Sequence, residues 1–207
     1  MSEPSHIYKL SILNEILCLD FVNTVGWHES ESPSEWLRDL KDLATWGVRI
    51  SCLTKEEAEE LGRFEEQEPS LANLKYKQFI TLREAMFRIF RAIVRGDLAP
   101  AEDLAELNSH LELYRHLTLV EPTPGQFTLS LSSASISPLE RMKGELVRSA
   151  VDLLLSKDLK YLKQCHGGEC GWLFIDTSRN HSRRWCSMTD CGNRSKAKRH
   201  YHKKSSE

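Results

Sequence analysis

Four of the chain's six cysteines fall within residues 165–191, which read C-x4-C, a span of 15 residues, and C-x4-C again. Two close pairs favour a structural zinc site, because each short turn supplies two thiolates to one tetrahedral ion at about 2.3 Å. Four protein ligands leave no position for water, so we expect the metal to be structural rather than catalytic. The predicted Zn²⁺ ligands are Cys165, Cys170, Cys186 and Cys191.

Other assignments of this cluster stay open at the level of the sequence. His166, His200 or His202 can replace one thiolate, and an iron–sulfur cluster or a pair of disulfides would use the same residue type. The remaining two cysteines, Cys18 and Cys52, stand alone among apolar neighbours. We interpret them as packed thiols with no chemical role.

The segment that holds the cysteine cluster is basic, although the 207-residue chain has a net charge of only −2. Residues 160–207 contain 11 Lys and Arg against 4 Asp and Glu, a charge of +7, which leaves −9 for residues 1–159. Four thiolates and one Zn²⁺ reduce the charge of the basic segment to about +5. Clustered cations are typical of a surface that meets nucleic-acid phosphates, so we expect DNA as a partner. The predicted DNA-contacting residues are Arg179, Arg183, Arg184, Lys196, Lys198, Arg199 and Lys203.

The residues after Cys191, GNRSKAKRHYHKK, predict a short helix with two different faces. Arg194, Ala197 and Tyr201 share one face, which we expect to pack on a hairpin, so that Arg194 is at least partly structural. The lysines and arginines of the other face are free for contacts outside the protein. The alternative is that this basic face docks on the acidic first part of the chain or on a protein partner, which would make the segment a protein-interaction module.

The elements that position the cluster follow from periodicity and capping signals. Residues 17–26 predict a buried helix that Gly26 ends, and Ser34 predicts the start of a second helix that Gly47 closes. Thr54 and Glu57 form a capping-box pattern for a third helix. Residues 72–95 predict a long amphipathic helix that stops at Gly96.

After residue 100, the spacing of apolar residues changes from helical to alternating. A helix with Leu104, Leu107, Leu111 and Tyr114 follows Pro100, and residues 117–121 and 126–131 then alternate as in a β-hairpin. The sequence Ser-Pro-Leu-Glu at 137–140 predicts the N-terminus of another helix. The composition changes at about residue 158. We therefore predict a helical domain over 1–158 and a small zinc finger over 159–207.

The predicted fold class is mainly α with a small β-hairpin. The order of knuckle, hairpin, knuckle and helix in the C-terminal segment is that of a treble-clef-like finger, with the hairpin placed between Cys170 and Cys186. Trp172, Phe174 and Trp185 would form a miniature core. A module of this size buries too little surface to fold alone, so the metal would supply much of its folding free energy.

Several classes of protein are excluded by missing signals. The first ten residues lack the pattern of a secretory signal, and no stretch approaches the roughly 18 apolar residues of a membrane span. We expect a soluble cytoplasmic protein. The chain has no phosphate-binding loop, no nucleophile elbow and no dinucleotide-binding glycine turn, so we do not expect an enzyme.

The C-terminal motifs CGWLF at 170–174, DTSRN at 176–180, RRWCSM at 183–188 and CGNR at 191–194 resemble the CGNR zinc finger of bacterial proteins. Upstream, LDFVNTV at 19–25 and LREA at 82–85 resemble the ABATE domain that precedes that finger. The resemblance implies a bacterial, stress-induced transcription regulator whose finger binds DNA. It also implies that the four cysteines bind zinc.

The polar members of the upstream motifs are Asp20, Asn23, Thr24 and Arg83. These residues could line a pocket for a small-molecule effector, and the helical domain could also mediate dimerisation. The alternative is structural: Asn23 and Thr24 satisfy a helix end, and Arg83 pairs with a carboxylate such as Asp20.

Overall fold

The structure is a computed structural model that describes residues 6–12, 16–111, 117–124, 126–131 and 136–204, with side chains for all of these except 117–122, 127–131 and 199–204. Seven α-helices lie in the described residues: α1 (Leu17–Val22), α2 (Leu40–Arg49), α3 (Lys55–Gln67), α4 (Pro69–Arg95), α5 (Ala101–Ser109), α6 (Pro138–Leu155) and α7 (Asn193–Lys204). The predicted mainly α fold is confirmed.

Three antiparallel pairs of strands also lie in the part of the chain that the structure describes. These are β1 (Val25–Gly26) with β2 (Ser34–Glu35), β3 (Leu117–Thr123) with β4 (Gln126–Leu131), and β5 (Leu162–Gln164) with β6 (Leu173–Ile175). The second pair is the hairpin predicted from the alternation at 117–131. The third pair belongs to the finger.

The core of the helical domain forms around α1, in which Cys18, Leu19, Phe21 and Val22 are almost completely buried. Helix α1 packs on α4 and α6, and α2 packs on α3 and α4. The Phe21 ring stacks on Trp46 with centroids 5.3 Å apart and meets Phe79 edge to face at 6.4 Å. Burial of aromatic and aliphatic side chains is therefore the main stabilising force in this part of the chain.

Local signals fixed several helix ends as predicted. Thr54 and Glu57 form a complete capping box at the start of α3, and Ser137 and Glu140 form another at the start of α6. Helix α4 ends at Gly96, which has the left-handed φ of 77° that glycine adopts without strain.

Other predicted boundaries were wrong because tertiary contacts override local preference. Helix α1 ends at Val22, before Gly26, which lies in β1. Asp39, rather than Ser34, caps α2 by accepting from the Asp42 amide at 2.7 Å. Gly47 lies inside α2, where a Cβ would be 2.7 Å from Leu53 Cδ1. Helix α5 ends at Ser109, before Leu111; Tyr114 lies outside the described residues.

The finger's hairpin is not between Cys170 and Cys186 as predicted. Strand β5 lies before the first cysteine pair and β6 after it, with Leu162 opposite Ile175 and Gln164 opposite Leu173. The first C-x4-C segment is therefore the loop of the hairpin. The strand partner was missed because it lies outside the span that the cysteines delimit.

Among the described residues, no helix is both long enough and apolar enough to cross a membrane.

Candidate metal centre

The four predicted cysteines converge in the finger. Their sulfur atoms all lie within 4.8 Å of one another, and every one of the four residues is buried. Cys170 Sγ lies 3.8 Å from Cys186 Sγ, which lies 3.7 Å from Cys191 Sγ. A tetrahedral ion with Zn–S bonds of about 2.3 Å requires sulfurs about 3.8 Å apart. The four thiols thus fit one Zn²⁺ and form a structural zinc site.

The backbone and one arginine donate to the sulfurs. The Cys186 amide donates to Cys165 Sγ at 3.3 Å, and Arg194 Nη2 donates to Cys191 Sγ at 3.2 Å. Gly167 lies so close that a Cβ there would be 2.9 Å from Cys191 Sγ. Hydrogen bonds to ligating thiolates orient them and reduce their charge density.

The ionisation of the thiols indicates why a cation belongs here. Hydrogen bonds from Cys170 and Cys186 lower the pKa of Cys165, and the same hydrogen bonds raise the pKa values of Cys170 and Cys186. Four crowded thiolates repel one another, and a divalent cation removes that repulsion while displacing their protons.

His166, considered as an alternative ligand, is exposed, whereas the four cysteines are buried. The side chains of His200 and His202, the other two histidines considered, lie outside the described part of the chain. None of the six cysteines forms a disulfide bond. Cys18 is buried and Cys52 is half-buried, as expected for packed thiols, and burial raises their pKa values to about 12 and about 11.

A buried carboxylate organises the loop between the two cysteine pairs. Asp176 accepts from Lys163 Nζ at 2.6 Å, from Ser178 Oγ at 2.6 Å and from the Arg183 amide at 2.8 Å. Burial opposes its ionisation, but these hydrogen bonds outweigh burial and hold the pKa of Asp176 well below its usual range. The carboxylate therefore shapes the loop that displays the arginines.

Arg183 is part of this internal network. Its Nε donates to the Trp185 carbonyl at 2.8 Å, its Nη2 donates to the Cys186 carbonyl, and its guanidinium lies 4.7 Å from the Phe174 ring centroid. Two of its five donors therefore bind carbonyl groups of the finger, and the DNA contact at Arg183 stays a prediction.

The other predicted DNA-contacting residues differ in position. Arg179, Arg184, Lys196 and Lys198 are exposed. The side chains of Arg199 and Lys203 lie outside the described part of the chain. Arg194 has contacts inside the protein, as expected, but with Cys191 and with the Trp27 ring at 4.4 Å rather than with the hairpin. Ala197, predicted to share its packed face, is exposed.

One of the residues predicted to line an effector pocket, Asn23, connects the helical domain to the finger. Asn23 Nδ2 donates to the Leu173 carbonyl at 2.8 Å, and Asn23 Oδ1 accepts from the Leu173 amide at 2.9 Å. Both hydrogen bonds are buried. Trp172 Nε1 adds a hydrogen bond of 2.7 Å to the Val25 carbonyl. The asparagine side chain thus pairs with β6 as a neighbouring strand would.

Arg83, which is only 2% exposed, stabilises the segment that contains Asn23 and Thr24. It donates to Thr24 Oγ1 at 3.1 Å and to both oxygens of Glu35 at 2.8 and 2.6 Å, and its Nε donates to Glu84 at 3.0 Å. Its ion-pair partners are therefore Glu35 and Glu84 rather than Asp20, which is 6% exposed. Although burial opposes it, the hydrogen bonds and charges of these carboxylates raise the pKa of Arg83.

Sequence reasoning missed the role of Asn23 because its partner is 150 residues away. The only signal was a polar pair, Asn23-Thr24, at the end of an apolar helix, which is equally typical of a capped helix end.

Comparison with known families agrees with this geometry. The family model of the CGNR zinc finger matches residues 161–204. The ABATE family model, described as "Putative stress-induced transcription regulator", matches residues 15–157. No curated protein matches the chain. The chain belongs to the ABATE family and carries a C-terminal CGNR zinc finger with a structural zinc site.

Proposed function

We propose that this protein is a transcription regulator that binds DNA through the basic surface of its finger. We define this basic surface by four exposed cations of the finger whose side chains are described, Arg179, Arg184, Lys196 and Lys198; Arg194, which contacts Cys191 and Trp27, is not included. Two come from the loop after β6 and two from α7, so the zinc site between them sets their relative positions.

The observation that carries the proposal is that these cations remain available. Among the residues whose side chains are described, none of the four forms an ion pair with the acidic helical domain. Docking of the basic surface on that domain was the alternative to DNA binding, and it would have neutralised these charges. Exposed lysines and arginines that meet phosphates release condensed counterions, which favours binding to a polyanion.

The contacts between the helical domain and the finger also support the proposal. Asn23, Trp27 and Arg83 hold or support the finger through residues outside the basic surface. The helical domain can therefore orient the finger without covering it. We further propose that this domain senses a small ligand or mediates dimerisation, and that the protein acts in the cytoplasm by binding rather than by catalysis.

The test is a fluorescence-anisotropy titration of the zinc-loaded full chain on duplex DNA at several salt concentrations between about 50 and 200 mM. We expect the logarithm of the affinity to fall linearly with the logarithm of salt concentration. Lys196→Ala or Arg184→Ala should each reduce the slope by about one unit if that residue meets a phosphate.

The matched control is Lys41→Ala, which removes an exposed lysine from α2 in the helical domain. This variant should leave the slope unchanged. Equal affinity for random and promoter-derived duplexes would indicate general nucleic-acid binding. Absence of binding at the lowest salt concentration would contradict the proposal and favour a protein-interaction role.

A further inference from the structure

Residues of α4 and α6 and the C-terminal end of α5 line an open cleft of about 440 Å³ in the helical domain. This volume lies in the range of small-molecule sites, about 300 to 1,000 Å³. Its lining side chains are mostly polar or basic, unlike the apolar core nearby. They include Lys77, Gln78 and Thr81 from α4, Glu106 from α5, His110 just after α5, and Lys143 from α6.

Lys143 is unusual because its cation is buried. The residue is only 9% exposed. Its Nζ donates to Gln78 Oε1 at 3.3 Å and lies 5.2 Å from the centroid of the Phe79 ring. Within the described part of the chain, no carboxylate lies within 4.0 Å of this Nζ. A buried ammonium without a paired anion is energetically unfavourable, so its position calls for an explanation.

The acidic residues near the cleft do not neutralise Lys143. Glu106 accepts instead from His110 Nε2 at 3.1 Å. Burial lowers the pKa of Lys143, Lys75 lowers it further, and the charges of Glu140 and Glu106 only partly offset these effects. The ammonium has three donors, of which Gln78 accepts one. Among the described residues, no acceptor binds the other two, so they are available to a ligand.

We propose that this cleft binds a small oxyanion, either a phosphate group or a carboxylate, whose oxygens accept hydrogen bonds from Lys143. Lys77 and Thr81 lie on the same side of α4 at a spacing of four residues and add a second cation and a hydroxyl at the cleft. An anionic ligand would supply a negative charge next to the Lys143 ammonium. The inference extends the ligand-sensing part of the proposed function and is independent of DNA binding.

The test is isothermal titration calorimetry of the zinc-loaded full chain without DNA, using sodium phosphate and sodium acetate in separate titrations at matched ionic strength. We expect saturable binding of at least one anion, and the preferred anion distinguishes a phosphate from a carboxylate ligand. Lys143→Met keeps the length of the side chain and removes the charge. It should weaken binding about tenfold or more, as expected for a hydrogen bond between charged groups.

Lys41→Met is the matched control, because Lys41 is an exposed lysine on α2 and should leave the affinity within about twofold. A second measurement needs no variant: NMR titration of the lysine ε-methylene groups should show that the anion raises the pKa of Lys143. Lack of saturable binding by both anions, equal affinity in Lys143→Met, or an unchanged Lys143 pKa at saturation would each overturn the proposal.

Discussion

The helical domain and the finger are stabilised by different forces. The helical domain buries large side chains such as Phe21, Trp46 and Phe79 in one continuous apolar cluster. The finger's own cluster consists of Phe174 and the four zinc-binding cysteines, with Trp172 and Trp185 against them. Apolar burial suffices for the first region, whereas the second needs a metal and a hydrogen-bonded carboxylate.

The two regions nevertheless share part of one core. Leu162, Leu173 and Ile175, which come from the finger's hairpin, pack in the cluster of the helical domain. The composition changes near residue 158, but the packing continues across that point. The comparison teaches that the helical domain supplies apolar contacts that the finger lacks, while zinc holds the two cysteine loops of the finger together.

Loss of a zinc ligand should have the largest effect, and it should be confined to the finger. Cys186→Ser removes one of four thiolates and with it much of a metal-binding free energy on the order of 10 kcal/mol. We expect loss of stoichiometric zinc by elemental analysis and loss of structure in the finger, with most helical circular dichroism retained. Cys52→Ser is the control and should keep its zinc, because that thiol lies outside the cluster. Full zinc occupancy in Cys186→Ser would contradict the four-cysteine site.

Removal of the two hydrogen bonds between the Asn23 side chain and Leu173 should have the next largest effect. Asn23→Ala removes two buried hydrogen bonds to the backbone of Leu173. Each hydrogen bond contributes about 0.5 to 1.5 kcal/mol, so we expect a loss of about 1 to 3 kcal/mol in urea unfolding. Asn108→Ala, at an exposed position of α5, should change stability by less than about 0.5 kcal/mol. Equal stability of the two variants would show that the hydrogen bonds between Asn23 and Leu173 do not stabilise the protein.

The features that sequence alone predicted are those set by neighbouring residues. The capping boxes at Thr54 and Ser137 and the stop at Gly96 depend on three or four residues each. The zinc site was also predictable, because the spacing of the cysteines contains most of its geometry. Local chemistry is readable in a sequence.

The features that were missed depend on distant partners. Ser34 has the chemistry of a helix cap, yet it pairs with Gly26 in a two-strand bridge. Arg83 was expected to pair with Asp20, but Glu35 reaches it through that same bridge. Such choices follow from packing, which a single sequence does not display.

As the pH falls, the finger should lose its zinc and its structure before the helical domain unfolds. In the helical domain, burial opposes ionisation of Glu84, but the hydrogen bond from His28 and the charge of Arg83 lower its pKa. A lowered pKa adds stability that is complete above the ordinary value of about 4.3 and is lost as the pH falls below it. Protons displace zinc from the thiolates at a higher pH. A zinc indicator should therefore report release before circular dichroism reports loss of helix.

Glu84→Gln sharpens this acid test. The variant should weaken the pH dependence of the helical transition, at about 1.4 kcal/mol for each unit of pKa shift that is removed. It should leave the pH of zinc release unchanged. A single transition seen by both probes would contradict two separately stabilised regions.

The contact between Trp27 and Arg194 should have the smallest effect. Its distance of 4.4 Å from the guanidinium carbon to the ring centroid is that of a cation–π pair. A double-mutant cycle with Trp27→Leu and Arg194→Met should give a coupling of about 0.5 to 1 kcal/mol. The cycle isolates this contact from the bond between Arg194 and Cys191. A coupling of zero would show that this contact does not stabilise the packing of the finger on the helical domain.

Native-state hydrogen exchange with and without a chelator tests the central claim most directly, namely that zinc stabilises the finger while apolar burial stabilises the helical domain. The account predicts that verified zinc removal abolishes protection at the two cysteine loops, 165–170 and 186–191, and leaves the amides of α4 and α6 protected. Unchanged protection in the cysteine loops, or loss of protection throughout the helices, would contradict it.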